Sequence, residues 1–372
     1  MDLTRRGHKA RMAITLWFPN EVMTEIIRNV SRADQATLCR VSKIFNALSL
    51  PVLNRTVTIV GGLDNNQVHV LKAFCTALIA HPFRADAIRS LTFVGRGYIR
   101  TELEDSESRE LWLQSVKLMR RLEHLSIDSS RVVGQLVPKL SLLNFPRILR
   151  CSLKIPADMW HVDDVAAFLK LHATLTHVRI RINGPVGHRS VSLPNLQYFD
   201  GYMAHLPSIV TQHLRAARIL WQTEGLEIDN FIKALTSMTD PSIPFISSHR
   251  FHTSLDDTSR ILTALSTRMP HTTTLETCYL DFQAAVGHIT ERLGQFGHLH
   301  YLAFDSIYRI PDSDEDDAYR QDTLQAWSNA CPTLKACSLF ARAWRKVDDM
   351  WQEYPMEDFL IQAGLSAFEE LS

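Results

Sequence analysis

Apolar residues fall three and four apart at Val22, Met23, Ile26, Ile27 and Val30, one broad stripe that predicts an amphipathic helix. Pro19 stands at its first turn, where a proline forfeits no hydrogen bond and brings a helical φ. Ser31 and Asp34 then offer cap side chains, and a second apolar series follows at Leu38, Val41, Phe45 and Leu48. Residues 16–59 are therefore predicted as a compact set of helices broken near 31–34. Helices this short bury too little surface to stand alone, so the module must lean on a partner or on the rest of the chain.

Beyond residue 55 the period changes. Residues 56–60 alternate as a strand that Gly61 and Gly62 end, and Val70, Leu71, Phe74, Ala77 and Leu78 restore a helical period over 68–80. A three-point apolar pattern then recurs: Ile88, Leu91, Phe93; Leu122, Leu125, Ile127; Ile148, Cys151, Leu153; Leu175, Val178, Ile180. Leu196 and Phe199 continue it, and Leu214, Ala217 and Ile219 make a weaker copy. It returns at Leu275, Cys278, Leu280; at Leu299, Leu302, Phe304; and at Leu334, Cys337, Leu339. Residues 223–250 carry no clear copy beyond a strand near Phe245 and Ile246.

Each copy supplies a short strand whose alternate residues point into a shared core, and the intervening segment returns over the outside. Return helices are predicted over 107–119, 162–172, 257–269 and 322–331, with Pro156, Pro194, Pro270 and Pro332 between elements. The predicted class is α/β: an N-terminal helical module, then an irregular repeat with parallel strands over 56–340. The same spacing fits an ordinary α/β domain whose strands begin alike. Trp344, Val347, Met350, Trp351, Tyr354, Phe359, Leu360, Leu365 and Phe368 predict a helical cap over 341–372, whose aromatics could equally line a target pocket.

Composition narrows the function classes. Apolar content of 45% and charged content of 22% belong to a folded protein, and 40 basic residues balance 40 acidic ones among 372. No global field favours nucleic acid or an anionic membrane, so a protein partner is expected. No run of about eighteen apolar residues exists to span a bilayer, residues 1–16 lack a signal-peptide core, and an intracellular place follows. Arg5, Arg6, His8, Lys9 and Arg11 make residues 1–14 a basic tail, solvated or nuclear-targeting. Cys39, Cys75, Cys151, Cys278, Cys331 and Cys337 form no CxxC pair, which suits reduced core thiols.

No phosphate loop, HExxH, GxSxG elbow or dinucleotide fingerprint occurs, so no catalytic residue, cofactor or metal is expected. Gly95-Arg96-Gly97 reads as a turn after a strand, and His298 and His300 as a surface pair at strand spacing. The dense acidic run, Asp312 to Asp317, reads as a solvated loop, or else as a rim whose Asp314, Glu315, Asp316 and Asp317 select a basic target.

The order Phe18-Pro19, Glu21, Ile26-Ile27, Asp34, Leu38, Val41-Ser42, Phe45, Leu48, Pro51, Leu53, Arg55 resembles an F-box. Its ending, Pro51-Val52-Leu53-Asn54-Arg55 before the alternating strand, is similar to the exit from the box in fungal members. Phe18 stands where leucine is common, Phe45 where tryptophan is common, and Gln35-Ala36 where an apolar residue is usual. The resemblance covers residues 15–55 and implies docking on the Skp-family adaptor of a cullin-RING ubiquitin ligase. Phe18, Pro19, Val22, Ile26, Leu38, Val41 and Phe45 would touch the adaptor or hold the surface that does. The remainder resembles the degenerate leucine-rich-repeat-like part of such proteins, which implies a non-enzymatic receptor for a protein target in the cytoplasm or nucleus. A repeat scaffold without ligase association, with the helices as a cap, is the alternative.

Overall fold

The computed structural model describes residues 18–61, 65–95, 106–128, 137–155, 162–182, 190–221, 228–251, 255–279, 282–306, 314–339 and 341–369. Two compact units divide the chain: Met1–Leu125 with Phe145–Arg147, and Ser126–Asn144 with Ile148–Ser372.

The first unit opens with three short helices, α1 (Asn20–Arg28), α2 (Arg32–Val41) and α3 (Lys43–Leu53). Pro19 is the residue ahead of α1 rather than part of its first turn, and its carbonyl accepts from Met23 N at 3.1 Å. Ser31 caps α2: its hydroxyl accepts from Asp34 N at 3.2 Å and donates to the Asp34 carboxylate at 2.7 Å. The second apolar series does not lie on one helix. Ser42 adopts an extended backbone between α2 and α3, and its hydroxyl accepts from Phe45 N at 3.2 Å.

The chain then makes β1 (Thr56–Gly61), α4 (Asn65–Ala80), α5 (Pro82–Ala87), β2 (Ser90–Gly95) and α6 (Ser106–Lys117). Strands β1 and β2 run parallel, with Val57 opposite Leu91. The amides of Glu123 and His124 bond the Arg89 carbonyl at 2.8 and 2.9 Å as β3 (His124–Asp128) begins.

The second unit is a large, mostly parallel sheet with helices. Its strands are β4 (Arg150–Ile155), β5 (His177–Ile182), β7 (Tyr198–Tyr202), β9 (Ala216–Trp221), β10 (Phe245–Phe251), β11 (Thr272–Tyr279), β12 (Tyr301–Ser306) and β13 (Ala336–Leu339). They neighbour one another in that order and all these pairs are parallel. The helices between them are α7 (Val162–Lys170), α8 (Ile228–Ser237), α9 (Leu255–Arg268), α10 (Phe282–Leu293) and α11 (Asp314–Ala330). Two-residue strands β6 (Val191–Ser192) and β8 (Ile209–Val210) pair apart from this sheet.

One inward row explains the repeat. Cys151, Val178, Phe199, Ala217, Ser247, Leu275, Leu302 and Cys337 stand opposite one another across the eight parallel strands. Leu275 is therefore the middle residue of its copy, so the pattern expected at Leu275, Cys278 and Leu280 is shifted by three. The copy not seen in 223–250 is β10, where Ser247 and His249 take the two inward places, each 0% exposed. They are tolerated because they satisfy each other. Ser247 Oγ lies 2.6 Å from His249 Nε2, and Trp221 Nε1 donates to His249 Nδ1 at 2.9 Å. In the next inward place Gly201 has no side chain because a Cβ would sit 2.5 Å from the Ile180 carbonyl oxygen and 2.9 Å from the Phe199 ring.

Residues 341–372, expected as a helical cap, begin instead as an antiparallel hairpin, β14 (Arg342–Val347) and β15 (Met350–Tyr354), added to β13. Only then come α12 (Met356–Gln362) and α13 (Ser366–Glu369). These fold back over the sheet, where Phe359, Ala363, Leu365 and Phe368 pack with Ala216, Ala303, Ala336 and Ala343. Small residues on the strands leave room for the returning backbone, and Thr274 Oγ1 donates to the Ala363 carbonyl at 2.9 Å.

Candidate protein-docking face

In the first unit, α1 sends Met23 and Ile27 inward, 7% and 1% exposed, and Gln35 closes the break that follows. The Gln35 side chain, itself buried, donates to the carbonyls of Ile27 at 3.0 Å and Val30 at 3.1 Å. This is why a polar residue stands where an apolar one is usual: it supplements the long 3.4 Å bond from Val30 N to the Ile27 carbonyl and supplies a donor to the Val30 carbonyl in the break. Asn46 Nδ2 donates to the Cys39 carbonyl at 2.8 Å, and the Arg32 guanidinium bonds the carbonyls of Leu53 and Thr56 at 3.1 and 3.0 Å. Polar ties thus hold three helices whose own apolar core is thin.

The opposite side of α1 is apolar and open. Val22 and Ile26, 41% and 54% exposed, stand one turn apart on α1, and Phe18, 50% exposed, comes just before its Pro19 cap. Val41 and Ile44 at the α2–α3 break are exposed as well. Of the residues expected to form the docking surface, Phe18, Pro19, Val22, Ile26 and Val41 are at the surface, while Leu38 and Phe45 are half-buried supports. Ile44 was not among them, because it falls outside the period that the break interrupts.

The acidic run is not the loop expected. Asp314, Glu315, Asp316 and Asp317 are the first four residues of α11, where carboxylates suit the positive end of the helix dipole. Asp312 and Ser313 lie outside the described residues, as does Arg96-Gly97 and all but the last part of residues 1–18.

In the second unit a polar ladder crosses the outer side of the sheet: Arg179, Asp200, Arg218, Ser248 and Glu276 are successive register neighbours. Arg179 Nε donates to Asp200 at 2.7 Å, and Arg181 reaches both Asp200 oxygens at 3.0 and 3.1 Å. Arg218 donates to Glu276 at 3.2 Å, and the Ser248 hydroxyl bonds the same carboxylate oxygen. The returning C-terminal segment covers the ladder, with the Phe368 ring 4.5 Å from the Arg218 guanidinium carbon and the Phe368 carbonyl accepting from Arg179. Burial lowers the Arg179 pKa from its ordinary value, and Asp200 opposes that shift. Charged residues between apolar ones in β5, β9 and β11 were the sequence signal for this ladder.

The Ser247–His249 pair resembles a nucleophilic dyad in distance alone. Both side chains are sealed between sheet and helices, and burial lowers the His249 pKa to about 3. Among the described residues no group of three or more His, Cys, Asp or Glu could hold a metal ion, and no helix is long and apolar enough to cross a membrane. All six cysteines are free thiols, four of them buried.

No family model matches the chain and no curated protein matches it. Among solved structures it is similar to a protein of Bacteroides fragilis at 12% identity and a TM-score of 0.42, over 80% of this chain and 75% of that one.

Proposed function

We propose that the chain is the substrate-receptor subunit of a cullin-RING ubiquitin ligase. Residues 15–55 act as an F-box that docks on a Skp-family adaptor and through it on a cullin scaffold. Residues 56–340 act as a degenerate leucine-rich-repeat-like solenoid that holds a protein target in the cytoplasm or nucleus. The receptor supplies no reacting group; it raises the effective concentration of target lysines beside a ubiquitin-loaded enzyme.

The observation that carries this reading is the exposure of large apolar side chains on a three-helix module: Phe18, Val22 and Ile26 at α1, and Val41 and Ile44 at the α2–α3 break. Large apolar side chains grouped on so small a module gain from being covered, roughly 1 kcal/mol for each half-exposed one. Four of the five, Phe18, Val22, Ile26 and Val41, are positions that the F-box resemblance nominates.

Co-purification of the folded full chain with a Skp-family adaptor tests it. Val22→Glu and Ile26→Glu alter exposed positions and are expected to reduce adaptor capture at least about tenfold without lowering the melting temperature. Val70→Glu, at another exposed apolar position, is the control and retains capture. A folded wild-type chain that captures no adaptor overturns the reading and leaves the scaffold without a ligase.

A further inference from the structure

Residues 356–369 cover the polar ladder, and the next outward row is more open to water. That row runs Lys154, Arg181, Tyr202, Leu220, Arg250 and Cys278 across six neighbouring strands. Lys154 is opposite Arg181, Tyr202 opposite Leu220, Leu220 opposite Arg250, and Arg250 opposite Cys278. Ile180 pairs with Gly201, so Arg181 and Tyr202 follow at the same level. All six side chains are exposed or half-buried, whereas their ladder neighbours Arg179, Asp200, Arg218 and Ser248 are buried.

The chemistry of this row is specific. Arg181 and Arg250 each reach back to a ladder carboxylate that already holds a closer buried guanidinium. Asp200 is 2.7 Å from Arg179 and 3.0 Å from Arg181. Glu276 is 3.2 Å from Arg218 and 4.0 Å from Arg250. Each outer guanidinium shares its counter-charge and faces water, with side-chain exposures of 24% and 43%. Tyr202 and Leu220 form an apolar floor between them. Three strand steps separate β5 from β10, about 14 Å at the usual sheet spacing, which is about four residues of an extended peptide. Residues i, i+2 and i+4 of such a peptide point the same way.

We infer that this row is a docking lane for an extended anionic peptide, with acidic side chains four residues apart on Arg181 and Arg250 and an apolar side chain between them on Tyr202 and Leu220. The inference deepens the receptor reading and rests on it for the bound peptide being part of a protein target. Nucleic acid is disfavoured because basic and acidic residues balance, 40 against 40, so no extended basic field surrounds the two arginines.

Fluorescence anisotropy of the purified full chain with labelled Glu-Ser-Leu-Ser-Glu tests the lane. Comparison peptides carry the two acids adjacent, lysine in place of both acids, or phosphoserine in place of both. The i, i+4 anionic peptides are expected to bind at least about fivefold tighter than the lysine and adjacent-acid peptides, and to weaken with salt. Arg250→Gln and Arg181→Gln are each expected to weaken binding about five- to tenfold, while Lys335→Gln leaves it unchanged. Preference for the carboxylate or the phosphoserine form assigns the natural anion. Equal binding of the lysine peptide, tighter binding of a single-stranded oligonucleotide, no binding of either anionic peptide at millimolar concentration, or full binding by a folded Arg250→Gln overturns the inference. Adaptor capture depends on residues 18–44 and is read separately, so either idea can fail alone.

Discussion

Trp221 donates its indole N–H to Nδ1 of His249 at 2.9 Å, and this contact decides the tautomer. Indole nitrogen only donates, so Nδ1 accepts and the ring proton sits on Nε2, aimed at Ser247 Oγ. Both nitrogens are engaged by a neutral ring, and a second proton, placed on Nδ1, would meet the Trp221 N–H head-on.

The consequence is acid sensitivity. Unfolded, His249 takes a proton near pH 6.5; folded, only near 3, because burial penalises the charge. Between these values the unfolded state binds more protons, so stability falls as pH drops, by up to about 1.4 kcal/mol per pH unit from this group. Burial lowers His172, His205 and His271 in the same direction. Urea midpoints at pH 7, 6 and 5 are expected to decline, and the advantage of wild type over His249→Gln is expected to shrink as the pH falls.

Gln35 should be worth more than its polar character suggests. Gln35→Ala leaves the carbonyls of Ile27 and Val30 without their donor in a buried setting and is expected to cost about 1–3 kcal/mol. Hydrogen exchange of amides within 20–41 is expected to speed up accordingly, while amides within 216–304 keep their protection.

Two glycines predict opposite outcomes. Gly201→Ala drives a Cβ against backbone and is expected to lower stability by about 2 kcal/mol or more, whereas Gly287→Ala, exposed inside α10 with nothing within 4 Å, is expected to raise it by about 0.5–1 kcal/mol. Thermal melts of the two variants read the contrast directly.

Phe368 closes the C-terminal return. Its ring is 0% exposed and lies over Arg218, so Phe368→Ala is expected to cost about 3–5 kcal/mol, read as a shift in the denaturation midpoint with the native secondary structure retained at low denaturant.

How far the chain could be read from its letters depends on what each buried place holds. Triads such as Ile148, Cys151, Leu153 and Leu175, Val178, Ile180 announce themselves because apolar side chains fill the inward row, and all six are buried. Strand β10 stays hidden since Ser247 and His249 are made compatible with the core by each other and by Trp221, a partnership that no linear pattern displays. The hairpin was misjudged for another reason. Spacing at Trp344, Val347, Met350 and Trp351 satisfies a helical period, but Asp348 and Asp349 both take positive φ, 48° and 63°. That is the two-residue turn which matches the twist of paired strands, and two consecutive acidic turn-formers were its signal. Of the candidate docking face, Val22 and Ile26 on α1 were legible from spacing alone; the exposure of Ile44 required knowing where Ser42 breaks the helix.

Arg179 and the Phe368 carbonyl that receives its hydrogen bond are separated by 189 residues of sequence. A ribosome completes β5 long before it delivers the segment that shields it. During synthesis the ladder of Arg179, Asp200, Arg218 and Glu276 faces water, and the alanine-lined bed beside it is an uncovered apolar trough. A chain released before residue 356 would have every strand and no cover for their shared outer side. For the cell, residues 356–369 therefore separate a shielded sheet from one that displays a sticky surface to quality control.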